Sequence, residues 1–539
     1  MVFCGKPSKA CAECRAKRTR CNEATPACGQ CVRAGRKCSG YRDPLAMMFK
    51  DQNSKLSGKL KSSTASGSRS PLTPRRSSHS FVFESSSDLQ SELSFAPGWE
   101  EQAVAFIFHN YVSEDNESAS SRGLFDYLPA LYRQSEPGSI LTDAVTALGM
   151  VCIANSNRDS ALLNKAILKY SATARAVSDC LGEIKLAKQD GILISVLLLG
   201  IFETNASDRP RSMASWLQHI KGSISLLKLR GNQQLDTHIG RRLFVQLRTS
   251  IMANCIIRRV AVPPEIFDWT MLAMQHESVD QAASSTLVFI MIRFSELRRN
   301  LEIPDYASDP HRVVSDALEI DEMFYEWALT VPESFLWTPI HIAEPDEEVF
   351  ADYYDVYNDV FTAGVWNSFR SIRIMLHEIL IENLVILCSS PEYITPNREI
   401  LSSYKGQIFT SKSVICTLTH EICASVPFYF NYHRRDTENF GERPPVKALA
   451  GYFLMWPLYT AAVAGRVSAQ MREWIAGRLK DIGDVMGLKH AYALGALAAV
   501  KREMSDLELE REKADCWDRY TKESATKDYQ SYCDDFIEA

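Results

Sequence analysis

The chain has 539 residues, which is too many for one hydrophobic core and indicates a small module joined to further domains. Its formal net charge of −6 is unevenly distributed. Residues 1–80 hold 17 Lys and Arg against four acidic residues, a net charge of +13, whereas the remaining residues carry −19. This asymmetry favours a basic, nucleic-acid-facing head on an acidic body over the alternative of a solvated basic tail.

The first residues, Met-Val-Phe-Cys-Gly-Lys-Pro-Ser, contain no apolar run of the kind that a signal peptide needs. We therefore expect an intracellular chain whose thiols stay reduced, which favours metal ligation over disulfide bonds. The longest apolar run, residues 192–202, is far shorter than the ~20 residues of a transmembrane helix. It predicts a buried helix, and no membrane partner is expected.

Six cysteines near the N-terminus form two tandem Cys-x2-Cys-x6-Cys patterns, so that the second three cysteines repeat the spacing of the first three. Two zinc ions need eight metal–ligand bonds, so six thiolates are enough only when two of them bridge both metals. Disulfides would need an oxidising compartment, and an iron–sulfur cluster would use four cysteines at other spacings. We therefore predict two Zn²⁺ ions as cofactors. The predicted ligands are Cys11, Cys14, Cys21, Cys28, Cys31 and Cys38.

A cluster of cations lies inside the first cysteine pattern: Arg15, Lys17, Arg18 and Arg20. Six thiolates and two Zn²⁺ ions carry a net charge of −2, so the metal core by itself would repel phosphate. Together with Arg33, Arg36 and Lys37 in the second cysteine pattern, the cations reverse that sign. A short helical turn that the metal holds rigid can enter a major groove, where Lys or Arg donates to guanine and neighbouring cations neutralise phosphates. We therefore predict that these four residues contact double-stranded DNA.

The segment at residues 9–21, Lys-Ala-Cys-Ala-Glu-Cys-Arg-Ala-Lys-Arg-Thr-Arg-Cys, resembles the fungal Zn(II)2Cys6 binuclear-cluster transcription factors. All six ligand spacings agree with that family. The resemblance implies a ligand assignment: Cys11 and Cys28 as the bridging pair, Cys14 and Cys21 completing one zinc, and Cys31 and Cys38 completing the other.

The resemblance also implies a role for each cation. Lys17 and Arg18 would read bases, typically of a CGG-like triplet, and Arg15 and Arg20 would contact phosphates. It further implies a nuclear regulator of RNA polymerase II genes that works with the transcription machinery or coregulators. Control of a secondary-metabolite gene cluster is a common role of such proteins.

Residues 44–98 are rich in Ser, Lys and Pro and predict a disordered, flexible basic linker. Proteins that resemble this one often dimerise through a coiled coil directly after the cluster. No sustained heptad pattern occurs in this linker. The sequence therefore leaves a homodimer open without supporting it.

Residues 99–539 repeat apolar side chains at helical spacing, without sustained strand alternation, and predict a large all-α regulatory domain. The clearest apolar stripe consists of Trp366, Phe369, Ile372, Leu376, Ile379 and Leu380. A second stripe is nearly as regular: Leu217, Ile220, Ile224, Leu227 and Leu229. Gly231, just after it, is predicted to cap the helix. The predicted domains are thus a cluster module at 1–43, a linker at 44–98 and a helical body at 99–539.

Several stretches of the body resemble the second class of fungal-specific transcription factor domain: residues 197–203, 216–222, 226–231, 373–378, 453–459 and 481–487. Each stretch alone is a weak match, and their order strengthens the resemblance. It implies a regulatory domain that follows the zinc cluster, and it allows a small-molecule effector that no motif in the sequence identifies.

No catalytic constellation is found in the sequence. His377-Glu378 lacks the second His of a zinc-protease helix, and Trp216 with His219 indicates core groups on an apolar face. We therefore predict that the protein is not an enzyme. The rival interpretations are an interaction scaffold whose zinc module no longer binds DNA, and an enzyme tethered to DNA.

Overall fold

The structure, a computed structural model, describes residues 11–17, 19, 21–22, 27–36, 38, 98–112, 125–206, 211–389, 397–434, 444–465 and 467–499. The chain divides into two compact units, residues 1–93 and 94–539. The predicted linker at 44–98 lies outside the described residues, apart from Gly98.

The N-terminal unit contains two one-turn helices within its described residues, α1 (Ala12–Ala16) and α2 (Gly29–Arg33). Both helices surround the cysteines, and four of these, Cys11, Cys14, Cys28 and Cys31, are fully buried. The buried cluster consists of cysteine sulfur alone, so the described part of this unit has no apolar core of the ordinary kind. A segment this short without a core needs metal to fold.

The described part of the larger unit is helical apart from one ribbon. Its helices are α3 (Trp99–Tyr111), α4 (Leu128–Gln134), α5 (Ile140–Ser156), α6 (Ser160–Cys180), α7 (Ile184–Ala187), α8 (Asp190–Ala206), α9 (Arg211–Arg230), α10 (His238–Arg258), α11 (Glu265–Met274), α12 (Val279–Asn300), α13 (Pro304–Ala307), α14 (Pro310–Thr330), α15 (Val360–Ser389), α16 (Arg398–Tyr429), α17 (Ala448–Val463) and α18 (Ala469–Met486). Residues 490–499 are also helical. The predicted fold class, a helical body after an N-terminal cluster, is confirmed.

The ribbon pairs strand β1 (Thr338–His341) antiparallel with β2 (Tyr353–Val356), and Ile340 lies opposite Tyr354. The sequence pattern did not predict these strands. All four residues of β1 are exposed and include Pro339, so β1 has no alternation of apolar and polar positions. Strand β2 packs against α16, which supplies the tertiary contact that stabilises so short a ribbon.

Successive helices pack around one continuous core. Helix α5 contacts α3, α6 and α8, helix α8 contacts α9, and the long pair α15 and α16 packs together. Helix α17 returns to α3 and α18 to α5, so the C-terminal helices close against the first ones. The core is therefore shared by segments that lie far apart along the chain.

Two of the predicted helices can be compared directly with the structure. The apolar stripe predicted on α15 is buried along its whole length, from Trp366 to Leu380. On α9 the prediction was wrong at one position: Leu229 is 38 % exposed, and Leu226 is buried instead. Gly231 follows α9 with a positive φ of 62°, and its N–H donates to the Leu227 carbonyl oxygen at 3.0 Å, as a helix-ending glycine does.

The predicted buried helix at residues 192–202 forms the centre of α8, and every residue of that run is buried. Across the described residues, no helix combines the length and the apolar character needed to cross a bilayer.

The crossing of α3 and α5 depends on Gly149. A Cβ atom at this position would lie 2.1 Å from the Ala103 carbonyl oxygen, so the two helix backbones touch where α5 lacks a side chain. We expect Gly149→Ala to lower the free energy of unfolding by about 1–3 kcal/mol, because the helices must separate. Urea titration of the full-length protein measures this change.

The matched control is Gly406→Ala in α16, where an added Cβ meets nothing within 4 Å. This exposed helical position should gain roughly 0.5–1 kcal/mol, because alanine loses less backbone entropy than glycine on folding. Equal effects of the two substitutions would contradict the close crossing at Gly149.

Candidate metal centre and nucleic-acid interface

The six predicted zinc ligands come together as two groups of four sulfur atoms. One group is Cys11, Cys14, Cys21 and Cys28, and the other is Cys11, Cys28, Cys31 and Cys38. Within each group all four Sγ atoms lie within 4.8 Å of one another. Cys11 and Cys28 belong to both groups, which is the arrangement that two bridging thiolates require.

The sulfur spacings suit tetrahedral zinc. The Sγ atoms of Cys11 and Cys28 are 3.7 Å apart, those of Cys11 and Cys31 3.7 Å, and those of Cys14 and Cys28 3.6 Å. A Zn–S bond of about 2.3 Å in a tetrahedron places neighbouring sulfurs about 3.8 Å apart. The donor set therefore fits two four-coordinate zinc ions whose tetrahedra of sulfur ligands would share the edge between Cys11 and Cys28.

The two halves of the cluster repeat one backbone structure at the spacing of the repeated cysteines. Helices α1 and α2 start and end at equivalent positions. The Thr19 N–H donates to the Cys14 carbonyl oxygen at 2.9 Å, and the equivalent Arg36 N–H donates to the Cys31 carbonyl oxygen at 2.9 Å. The internal repeat in the sequence is therefore a repeat in three dimensions.

Local hydrogen bonding favours the thiolate form at one shared sulfur. The Cys31 backbone N–H donates to the Cys28 Sγ at 3.3 Å, and this bond lowers the pKa of the Cys28 thiol. Burial instead raises the pKa of the Cys31 thiol to about 12. Metal binding replaces the thiol proton, so zinc uptake by this cluster releases protons.

The predicted DNA contacts are only partly within the described residues. Arg15 lies in α1, but its side chain is not among the described ones. Lys17 is exposed immediately after α1, and its N–H donates to the Glu13 carbonyl oxygen at 3.2 Å. Arg18 and Arg20 lie outside the described residues. Lys17 is therefore exposed, and its backbone is tied to the end of α1.

The second half lacks this pattern of cations. When the two cysteine patterns are aligned, Arg15 corresponds to Val32 and Lys17 to Ala34. Val32 is 63 % exposed, and Ala34 is also exposed. The two halves share a backbone and differ in the chemistry that they present to solvent.

The candidate catalytic groups of the body are structural. His377 is buried, and its Nε2 lies 3.1 Å from Asp321 Oδ1, which also accepts from Arg373 Nε at 2.6 Å. Burial alone would raise the pKa of Asp321, but the hydrogen bonds from His377 and Arg373 outweigh it and lower the pKa to about 2. His219 Nε2 lies 3.3 Å from Tyr170 OH, and burial lowers the pKa of His219 to about 4.

Two polar features were missed by sequence reasoning. Asn22, directly after Cys21, accepts a hydrogen bond from the Gly29 N–H across the two halves of the cluster. In the body, Arg370 is completely buried and its Nε donates to Glu421 Oε2 at 2.9 Å. In the sequence, Arg370 can be noticed only as a polar residue on an otherwise apolar helix face.

Comparison with known families agrees with both parts of the chain. Residues 9–46 match the family described as fungal Zn(2)-Cys(6) binuclear cluster domain, and residues 113–263 match the fungal specific transcription factor domain. The second match includes the stretches at 197–203, 216–222 and 226–231, whereas those from residue 373 onward lie beyond it. Domains of the cluster family bind two zinc ions.

Two curated proteins of Emericella nidulans are similar to this chain. An uncharacterized protein is 27% identical over 140 residues, which are 26% of this chain and 29% of that protein. The protein named transcription factor dbaG is 19% identical over 420 residues, which are 75% of this chain and 92% of that protein. The chain thus matches less than a third of the first relative's length. No solved structure matches the chain significantly.

Both matched families are families of transcription factors, which are not an enzyme class. The cluster match contains all six cysteines and the basic turn, and the second match lies in the helical body. The cysteine-rich N-terminal module therefore matches the fungal Zn(2)-Cys(6) binuclear cluster domain, and part of the helical body matches the fungal specific transcription factor domain.

Proposed function

We propose that this protein is a nuclear, zinc-dependent, sequence-specific transcription factor for RNA polymerase II genes. The observation that carries the proposal is the pair of four-sulfur groups that share Cys11 and Cys28, with Lys17 exposed at the end of α1. On the family resemblance alone, we assign its targets to a secondary-metabolite gene cluster.

In this proposal Cys11 and Cys28 bridge the metals, and each zinc is completed by two terminal thiolates. Cys14 and Cys21 complete the first zinc, and Cys31 and Cys38 the second. Bound zinc would supply folding free energy to residues 1–43 and would hold α1 in place. Residues 44–98 link this module to the regulatory body at 99–539.

DNA recognition follows from the charge on the first half. Helix α1 enters the major groove, where Lys17 and Arg18 donate to guanine O6 and N7 of a CGG-like triplet. Arg15 and Arg20 neutralise phosphates and orient the module. The second half presents Val32 and Ala34 at the equivalent positions, which supports one reading turn for each module.

The body is assigned to regulation, with coregulators as its protein partners. The family resemblance assigns the body a small-molecule effector, and an open groove of about 530 Å³ lies beside the ribbon. Its lining includes the polar residues Glu333, Ser334 and Asn358 next to Leu336 and Tyr357. The proposal leaves a homodimer open, and no heptad pattern in the linker supports one.

The role of each cation can be tested by substitution. We expect Lys17→Ala or Arg18→Ala to reduce discrimination between specific and random DNA by about 1–3 kcal/mol, because a bidentate contact to guanine is lost. Arg20→Ala should weaken all sequences alike and reduce the salt slope by about 1. Binding titrations on one specific and one random duplex, at several salt concentrations, measure both quantities.

The same titrations test the function itself. The intact protein should hold two zinc ions per chain and bind a selected DNA site with a steep salt dependence. Two zinc ions without DNA affinity would instead indicate an interaction scaffold. Equal losses on specific and random DNA for all three cation variants would contradict the assigned roles.

A further inference from the structure

One hydrogen bond links the two halves of the cluster without using a metal ligand. The Gly29 backbone N–H donates to Asn22 Oδ1 at 2.8 Å. Asn22 directly follows Cys21 in the first half, and Gly29 directly follows Cys28 in the second. The bond therefore links the two ends of the chain segment between Cys21 and Cys28, two of the predicted ligands.

The acceptor meets a specific need of α2. The first N–H groups of a helix have no partner inside the helix. Cys28 Sγ accepts from the Cys31 N–H, and Asn22 accepts from the Gly29 N–H. Without the amide oxygen of Asn22, the Gly29 N–H would depend on water.

The contact is also close in space. A Cβ atom at Gly29 would lie 3.1 Å from Asn22 Nδ2, which is tighter than nearly all real Cβ contacts. The amide group thus lies directly against the Gly29 backbone. Gly29 and Asn22 fit each other as a pair, and a larger residue at 29 would displace the amide.

The bond fixes the residue next to Cys21, which belongs to one sulfur group only. Cys28 belongs to both groups, whereas Cys31 and Cys38 belong only to the group without Cys21. The residue that follows Cys38, as Asn22 follows Cys21, is Ser39, whose shorter side chain lies outside the described residues. The hydrogen bond of Asn22 should therefore stabilise one of the two metal positions more than the other.

We propose that Asn22 is a positioning residue that holds Cys21 against Cys28 and slows the loss of the zinc bound by Cys11, Cys14, Cys21 and Cys28. This inference rests on the ligand assignment of the proposed function. It assigns unequal stability to two metal positions whose backbones are equivalent. Hydrogen-bonding groups behind metal ligands commonly change metal affinity by about 10–100-fold.

The test follows zinc release from the full-length protein to a chromophoric chelator. Asn22→Ala should bind two zinc ions at saturation, then release one of them about tenfold faster than the wild type. The second ion should leave at the wild-type rate. Asn22→Asp keeps an oxygen acceptor and should restore the slow rate, and Gln30→Ala in α2 is the matched control without an expected effect.

Hydrogen–deuterium exchange supplies a readout that is independent of zinc release. The peptide containing Gly29 should lose protection in Asn22→Ala and keep it in Asn22→Asp. Wild-type release rates for both ions in Asn22→Ala, or equal acceleration of both ions, would overturn the inference. If Asn22→Ala binds no zinc, a tenfold faster release from Asn22→Asp would overturn it, and a wild-type rate would support it.

Failure of the inference is distinct from failure of the proposed function. A wild-type protein that does not hold two zinc ions would contradict the ligand assignment itself. A wild-type protein with two ions, together with an Asn22→Ala variant that behaves identically, would contradict only the role of Asn22.

Discussion

Cys28→Ala is expected to lose both zinc ions and all specific DNA binding, whereas Cys38→Ala should keep one tightly bound zinc. Cys28 belongs to both four-sulfur groups, and Cys38 belongs to only one. Removing Cys28 leaves three thiolates at each position, but removing Cys38 leaves the first group of four intact. The two variants therefore separate a bridging ligand from a terminal one.

The expected effect of Cys28→Ala on DNA binding is large. The described part of this unit has no apolar core apart from its cysteines, so the metal supplies most of its folding free energy. Without a rigid cluster, Lys17 is no longer held at the end of α1. Affinity for the specific site should fall to the non-specific level, a loss of about a thousandfold or more.

Metal analysis of the purified full-length variants gives the zinc content, and titration with the selected duplex at fixed salt gives the affinity. Cys416→Ala, at an exposed cysteine on α16, is the matched control and should change neither quantity. Two zinc ions and full specific affinity in Cys28→Ala would contradict a shared sulfur at this position.

The cluster was predictable because its information is local. Six cysteines at fixed spacings allow few arrangements of metal–ligand bonds. The repetition of those spacings identifies the two halves from the sequence alone. Two cysteines, Cys11 and Cys28, belong to both groups, and the count of eight metal–ligand bonds from six thiolates requires two shared thiolates. The Asn22 contact was not predictable, since a lone asparagine after a cysteine has no distinctive pattern.

The helical body was predictable as a class and not in its details. Periodicity identifies α15 because one face of a long helix is buried, and it fails for β1, whose four residues are all exposed. The partners of Arg370 were also hidden, because Glu421 is 51 residues away along the chain. Contacts of this kind depend on tertiary packing, which no local pattern encodes.

Arg370 connects α15, α16 and the segment that follows β2. Its Nη1 donates to Tyr357 OH at 2.7 Å, its Nε donates to Glu421 Oε2 at 2.9 Å, and its Nη2 lies 4.0 Å from Asp355 Oδ2. The guanidinium also lies 5.0 Å from the centre of the Trp337 ring. Arg370 therefore places one buried positive charge beside two carboxylates.

We expect Arg370→Met to lower the free energy of unfolding by about 3–5 kcal/mol near neutral pH. The methionine side chain fills much of the volume, but it leaves Asp355 and Glu421 without their buried cation. Asp355 is 2 % exposed, so water cannot replace the lost partner. The loss follows from unpaired charge rather than from a cavity.

The destabilisation should depend on pH. Burial raises the pKa of Asp355 to about 6, although Arg370 lowers it. In Arg370→Met that lowering is lost, so the pKa of folded Asp355 lies even further above the unfolded value of about 4 than it does in the wild type. Protonation therefore favours the folded variant, and the difference from the wild type should shrink as the pH falls from about 8 to 5.

Urea titrations of both proteins at pH values between about 5 and 8 measure this difference. Arg293→Met is the matched control, because Arg293 and Glu319 form an exposed pair at 3.1 Å whose side chains are 47% and 63% exposed. That substitution should cost less than about 1 kcal/mol at every pH. A loss in Arg370→Met that stays constant with pH would show that Asp355 does not carry the unpaired charge, and a loss as small as the control's would show that Arg370 does not hold the ribbon to α15 and α16.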